Sequence, residues 1–585
     1  MSTFETKNMA VSSLLTAIRD GNIAIPEIQR PFVWDAVKVR DLMDSMYHGY
    51  PIGFIITWRN SDTRLKDGSI SSGKSIIIDG QQRITALTAA MVGQEVLNKK
   101  FLKKRIKISF NPIEERFEVW TPALDKSSKW IPDISVLFAD TFNQWRFIND
   151  YLSKNENTDG EYVDKVLAKL IGIKNIHVGV IELSSELEIE TVTEIFTRIN
   201  SKGVSLSQSD FVMSKIASNT DYQGVDIRKA IDYFCHALAS PNDFLNIKNN
   251  DHDFVNSHLF DKISWVGNQK LYSYIPKYAD MIKVIFAYKF KRGKISQLVQ
   301  LLSGRDFDAK ENREEIAEES FKRFEDGLVE FCNKNNFENY TMILQSMGIY
   351  NFNYIRSINA LNFGYALYLL LKDKKIDVQE RDYIVRRFVM LSLLTQRFSG
   401  SSESQIDLDI RKFDETDPKK HLADSEAAQL SDAFWNHTLL QRLETNQIGP
   451  IHYIYLFTQI KNKNIGFLSQ PTTVQSILDM HGDIHHIFPK NYLRKHGIND
   501  KREYNQIANY AMVQKEINIK ISDKAPKEYL SVLGLTRDDN VVIKNFKENA
   551  VPLELFDMDV SNYQEFLTIR RKLMADKIKD YYYSL

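Results

Sequence analysis

The chain has little cysteine and no excess of charge. Only Cys235 and Cys332 occur in 585 residues. They lie far apart in segments of helical pattern, which excludes a disulfide framework and a cysteine-based zinc site and predicts two buried thiols. The 76 basic residues are matched by 76 acidic ones, so contact with nucleic acid has to rest on local patches. No apolar run approaches the ~18 residues of a membrane span, and Met1-Ser2-Thr3-Phe4-Glu5 lacks the basic-then-apolar order of a signal peptide. The expectation is a cytoplasmic protein with no membrane partner. No internal repeat is visible.

What is present is an ordinary soluble composition, 43% hydrophobic and 26% charged, in a chain longer than one core usually supports. Composition and pattern predict a helix-rich α+β protein in three parts, 1–221, 222–442 and 443–585. The densest basic patch is Lys99-Lys100-Phe101-Leu102-Lys103-Lys104-Arg105-Ile106-Lys107. It either contacts phosphates or is a solvated helix end running into a strand at Ile106–Phe110.

The chemistry-bearing residues cluster late, where Gly482-Asp483-Ile484-His485-His486-Ile487-Phe488-Pro489-Lys490 precedes Ile507-Ala508-Asn509-Tyr510 and Lys515-Glu516-Ile517-Asn518. Hydrolysing a phosphodiester needs a base for water and a cation for the leaving oxygen, and histidine serves either purpose near neutral pH. If Asp483 to His486 ends a strand, its side chains alternate, so His485 and His486 face different ways and take different roles. A return strand at Ile507–Val513 and a helix from Gln514 to Ile519 carrying Asn518 would complete a strand, strand, helix finger. A chance His-His pair in a loop is the plainer alternative; His481 and His496 read as neighbours only.

These residues resemble the HNH endonuclease family, in its branch with a His-Ile-Phe-Pro first motif. The resemblance implies a ββα-metal fold with His486 as general base, His485 and Asn518 as ligands of one divalent cation, Mg2+ or Mn2+, and Asn509 orienting the base. His485 stands where many members carry Asp; imidazole suits transition metals better than carboxylate does, so the resemblance leaves the metal preference open.

A second constellation begins with the β-branched run Ser75-Ile76-Ile77-Ile78, continues through Asp79-Gly80-Gln81-Gln82-Arg83, and enters the helical pattern Ile84 to Met91. Strand, polar turn, helix is an anion-binding layout: free N–H groups face a ligand, Gly80 permits close approach, and Arg83 offers two donors to a phosphate. Asp79 either caps the helix or holds magnesium. Gln29 and Arg30, before a proline, and Arg198 and Asn200, before Gly203, are candidates to complete the site; Arg30 and Arg198 equally suit bridges to acidic neighbours. Gly68 to Ser75 spells G-x-x-x-x-G-K-S, but a phosphate loop follows a strand and opens a helix, and this one opens a strand.

The Gln29-Arg30-Pro31-Phe32-Val33-Trp34, Ile78-Asp79-Gly80-Gln81-Gln82-Arg83 and Phe196-Thr197-Arg198-Ile199-Asn200-Ser201-Lys202-Gly203 segments together resemble the N-terminal domain of the GmrSD family of type IV, modification-dependent restriction enzymes. In that family a ParB-like domain precedes a His-Ile-Phe-Pro HNH domain, so the resemblance spans essentially the whole chain. It implies binding and hydrolysis of ATP or GTP at the Asp79–Arg83 turn. It also implies cleavage of DNA, modified phage DNA being the expected partner; a homo-oligomer is left open. The competing readings are a nucleotide-responsive DNA-binding regulator with a silent nuclease motif, and an unrestrained toxin nuclease.

Between these motifs, Tyr222 to Arg442 is mostly helical in pattern, with loops expected at Asn249–Asp253 and Ser399–Ser404. Arg397 is either a functional contact or half of a salt bridge. His252 and His258 read as loop residues rather than metal ligands. The basic face of a closing helix at Phe566–Leu573 either follows a DNA backbone or simply meets solvent.

Overall fold

The computed structural model describes residues 3–24, 34–59, 75–98, 100–185, 187, 191, 207–217, 219, 221–268, 272–307, 309, 311–351, 354–355, 358–469, 471–480 and 484–585. Helices dominate, with small sheets, giving the expected helix-rich α+β class. The chain forms two compact units, Met1–Gln269 with Ile295–Asp326 and Lys270–Lys294 with Gly327–Leu585.

The first unit is organised by a five-stranded mixed sheet in the spatial order Phe4–Ala10, His177–Leu183, Ile55–Arg59, Ser75–Asp79, Ile23–Ala24. The outer pair Phe4–Ala10 and His177–Leu183 is antiparallel, with Phe4 opposite Leu183. Ile55–Arg59 runs parallel to His177–Leu183 and antiparallel to Ser75–Asp79, with a register irregularity at Ile56/Thr57. Ile55, Ile56, Ile77, Val178 and Val180 are buried, as expected of β-branched residues on a pleated surface covered by helices. The helix Ala36–Tyr47, which packs against the hairpin of Ile108–Asn111 and Arg116–Val119, is capped by Asp35, whose side chain accepts from the Lys38 amide at 2.9 Å. It presents Val39, Leu42, Met43 and Met46 to the core at helical spacing.

Two sequence expectations need correction here. Lys103–Lys104 is a short strand paired with Val96–Leu97, not a helix end, because Asn98 closes the intervening turn by accepting from the Lys100 and Leu102 amides. Asn249–Asp253 is not a loop: Phe244–Asn250 and His252–Val255 are helical, and Asp251 caps the second by accepting from the Phe254 amide.

The second unit is built on the helices Tyr278–Phe290, Ile358–Asp373 and Val378–Thr395. Ile358–Asp373 is buried from Ala360 to Leu371 on every face, the pattern of a central helix rather than a surface one. Both cysteines are buried.

Candidate functional site

In the second unit Ile484–His486 pairs antiparallel with Tyr510–Met512, setting His485 opposite Ala511 and His486 opposite Tyr510. The return strand is shorter than expected: Ile507–Asn509 is a 3-10 turn and pairing starts at Tyr510. The physical reason is the side chain of Asn509. It is fully buried and accepts from the Phe488 amide at 2.8 Å, while its Nδ2 donates to the carbonyls of Phe488 and Tyr504 at 3.0 and 3.2 Å. Its own carbonyl accepts from the Ile487 amide at 2.8 Å. Asn509 is therefore a clamp on the segment just after the histidines, with three side-chain hydrogen bonds to main chain.

The imidazole of His486 is held by a different residue. Its Nε2 lies 2.9 Å from Asn505 Oδ1, with the Tyr510 ring edge-on at 5.0 Å between centroids. Burial keeps its pKa below the ordinary histidine value, the Asn505 hydrogen bond opposes this, and Lys490 adds to it. With Nε2–H donated to Asn505, the neutral ring carries its lone pair on Nδ1. Asn505 escaped the sequence reading. Its only signal is a position four residues before Asn509, and that spacing implies nothing outside a helix.

His485 faces the other way and is nearly enclosed, 6% exposed. Its Nε2 has no hydrogen-bond partner. Burial, helped by the neighbouring His486, pushes its pKa down to about 4, while Asn518 on the helix Lys515–Ile521 favours the protonated form and so lies close to the ring. A buried, neutral imidazole with an unpartnered nitrogen fits one ligand position of a divalent cation, and Asn518 interacts with the same ring. Among the described residues no group of three or more His, Cys, Asp or Glu gathers anywhere. Gly482, Asp483 and His481 lie outside the described residues.

In the first unit the strand Ser75–Asp79 turns at Gly80 into the helix Gln81–Leu87. Gly80 is the N-cap with φ of 97°, and a Cβ there would stand 2.4 Å from Ile55 Cδ1, so the turn requires glycine. Asp79 does not cap the helix. Its Oδ2 instead accepts from Arg83 Nη2 at 2.7 Å, and Nη1 donates to Ile52 O at 2.9 Å. A second left-handed glycine, Gly53 at φ of 85°, leaves room for that guanidinium: its Cβ would fall 2.6 Å from Nη1. Gln81 Nε2 donates to Ile77 O at 3.0 Å, and Gln82 follows on the same first turn. Asp79, Gly80, Gln81, Gln82 and Arg83 thus share one turn, with Arg83 already engaged by the protein. Gln29, Arg30, Arg198 and Asn200 lie outside the described residues, as does Gly68 to Lys74 of the phosphate-loop look-alike.

The other singled-out residues have local partners. Arg397 makes a bidentate ion pair with the fully buried Asp409, both distances 2.6 Å. His258 pairs with Glu325 at 2.6 Å, and His496 Nδ1 bonds Tyr492 O. The closing helix is Tyr563–Tyr583, and its supposed basic face is corrected: Arg570 is wholly buried and Arg571 bonds Gln506 and Glu444.

Against known proteins, residues 11–217 match the family model described as the GmrSD restriction endonuclease, N-terminal domain. An uncharacterized protein of Methanocaldococcus jannaschii is 23% identical, over 98% of this chain and 98% of its own length.

Proposed function

Because residues 11–217 belong to the GmrSD restriction endonuclease N-terminal domain family, we propose that the protein is an antiphage restriction endonuclease. The Ile484–His486 hairpin cuts DNA, modified phage DNA by preference, as an HNH-type ββα-metal site, and the N-terminal ParB-like domain gates it through ATP or GTP. The carrying observation is the division of labour between adjacent histidines: His486 has one nitrogen tied to Asn505, and His485 has a buried, unpartnered Nε2 beside Asn518.

His486, uncharged at neutral pH, accepts the proton of an attacking water at Nδ1, while Asn505 fixes the tautomer and helps the ring carry the acquired charge. Asn509 holds Ile487 and Phe488 so that the imidazole keeps its aim. His485 and Asn518 would hold Mg2+ or Mn2+, which when bound supplies charge neutralisation at the leaving oxygen. Tyr510 closes one side of the base with an apolar ring edge.

At the other site a nucleotide phosphate engages the Gly80 turn and takes over Arg83 donors now given to Asp79 and Ile52 O. An exchange of that kind supplies the differential contacts that a ligand-driven switch needs. Restraint is the reason for such coupling, since an ungated nuclease would cut host DNA. A full-length assay tests the reading: modified and unmodified phage DNA, Mg2+ or Mn2+, with and without ATP or GTP, using wild type, His486→Ala and Arg83→Ala. Cleavage by wild type alone, with nucleotide dependence lost in Arg83→Ala, is expected. DNA binding without cutting under every condition would overturn the nuclease assignment in favour of a regulator.

A further inference from the structure

Arg570 lies in the helix Tyr563–Tyr583 with none of its surface exposed. Its Nη1 donates to Ala508 O at 2.7 Å, and Nε and Nη2 donate to Ala550 O and Asn549 O, both at 3.3 Å. All three acceptors are main-chain carbonyls. The phenols of Tyr455 and Tyr529 and the imidazole of His452 face it electrostatically, and burial holds its pKa below the ordinary arginine value.

A buried cation without a carboxylate is a poor way to gain stability, because desolvation takes several kcal/mol that Coulomb attraction does not return. What arginine provides instead is a rigid, planar fork of donors that can satisfy two backbone segments at once, which no apolar side chain can do. One segment is Asn549–Ala550, where the helix Asn540–Glu548 ends and its carbonyls carry partial negative charge. The other is Ala508, the residue immediately before Asn509. The connection then runs through the Asn509 amide to both main-chain groups of Phe488, two residues from His486. From the opposite side Tyr529 Oη donates to Ile487 O at 3.1 Å.

We propose that Arg570 is a positioning residue of the nuclease site: it sets where Asn509 sits and thereby where His486 points. The inference rests on the reading of His486 as the base. Its test uses full-length wild type, Arg570→Met, Arg570→Lys and His486→Ala, with two readouts. The first is amide hydrogen exchange over residues 484–490, compared with Ile358–Asp373 in the same unit. The second is kcat and KM for DNA cleavage with Mn2+.

In Arg570→Met, protection at Ile487 and Phe488 should fall about ten-fold with Ile358–Asp373 unchanged, and kcat should fall about 10- to 100-fold at constant KM. Arg570→Lys should lie between, since an ammonium keeps the charge but not the fork. Unchanged protection over 484–490 in a folded variant would overturn the proposal. So would loss of protection throughout the unit in both variants, which would make Arg570 a general stability element. If wild type fails to cut while the local exchange difference is present, the nuclease reading falls and takes the catalytic part of the proposal with it, leaving only that Arg570 orders the Ile487–Phe488 segment. If wild type cuts, His486→Ala does not, and Arg570→Met matches wild type in both readouts, the positioning inference alone falls.

Discussion

Replacing Asn505 and Asn509 separately should produce two different failures, because one amide touches a ring and the other a backbone. Asn509→Ala removes three side-chain hydrogen bonds at 2.8, 3.0 and 3.2 Å from a site with no exposed surface. At ~1 kcal/mol each the loss is about 3 kcal/mol, before counting the main-chain groups left unsatisfied. Asn505→Ala removes one bond at a half-buried position, or ~1 kcal/mol. Its larger effect is on titration. The Asn505 bond raises the His486 pKa against burial and Lys490, so without it the pKa drops further. A base acts when deprotonated, so the acid limb of the pH–rate profile should move to lower pH, while kcat falls about ten-fold as the ring loses its orientation. Calorimetry of the full chain reads the stability difference, and single-turnover cleavage across pH reads the limb. An Asn509→Ala protein as stable as wild type, or an Asn505→Ala limb that stays put or moves to higher pH, would refute this assignment of roles.

Acid should destabilise the second unit in a defined window. Burial pushes both His485 and His452 down to about 4, and neither ring nitrogen of His452 has a partner. Each is neutral in both states above ~6.5, and protonation favours the unfolded chain below it. Stability is thus lost as pH falls from ~6.5 toward 4, up to about 3 kcal/mol per histidine; His452→Leu should flatten denaturation midpoints measured across that range. Gly80→Ala should destabilise the first unit by ~1–2 kcal/mol through its left-handed backbone and the Ile55 clash, and should weaken nucleotide binding. An unchanged thermal midpoint would count against the geometry of that turn. Asp409→Asn should remove ~3–5 kcal/mol by leaving the Arg397 guanidinium without its buried counterion, and a double-mutant cycle with Arg397→Met should recover part of it.

Much of this arrangement was legible in the residues. The β-branched run before Asp79-Gly80 set the strand, the glycine marked the turn, and alternation separated His485 from His486 without coordinates. Part of what escaped depended on partners distant in sequence. Nothing local says that Asn509 bonds Phe488, 21 residues back, and that bond replaced the first half of an expected strand with a 3-10 turn. Asp79 was open to a capping role until Arg83 was seen to claim it. Arg570 was misread because three consecutive cations look like a wet surface. Yet Phe566, Arg570, Met574 and Ile578 recur every four residues and all are buried, so the helical period itself had put that arginine among core residues.

The fastening of the histidine loop also has a consequence in time. The clamped segment is residues 486–488, and the arginine that secures its clamp lies at 570, 84 positions after His486. At about 5–20 residues per second a ribosome needs roughly 4–17 seconds to cover that interval. During it the histidine segment has been made but its last tether has not. On the nuclease reading proposed above, a half-made chain therefore holds the residues of the cutting centre without their final alignment until that helix has docked.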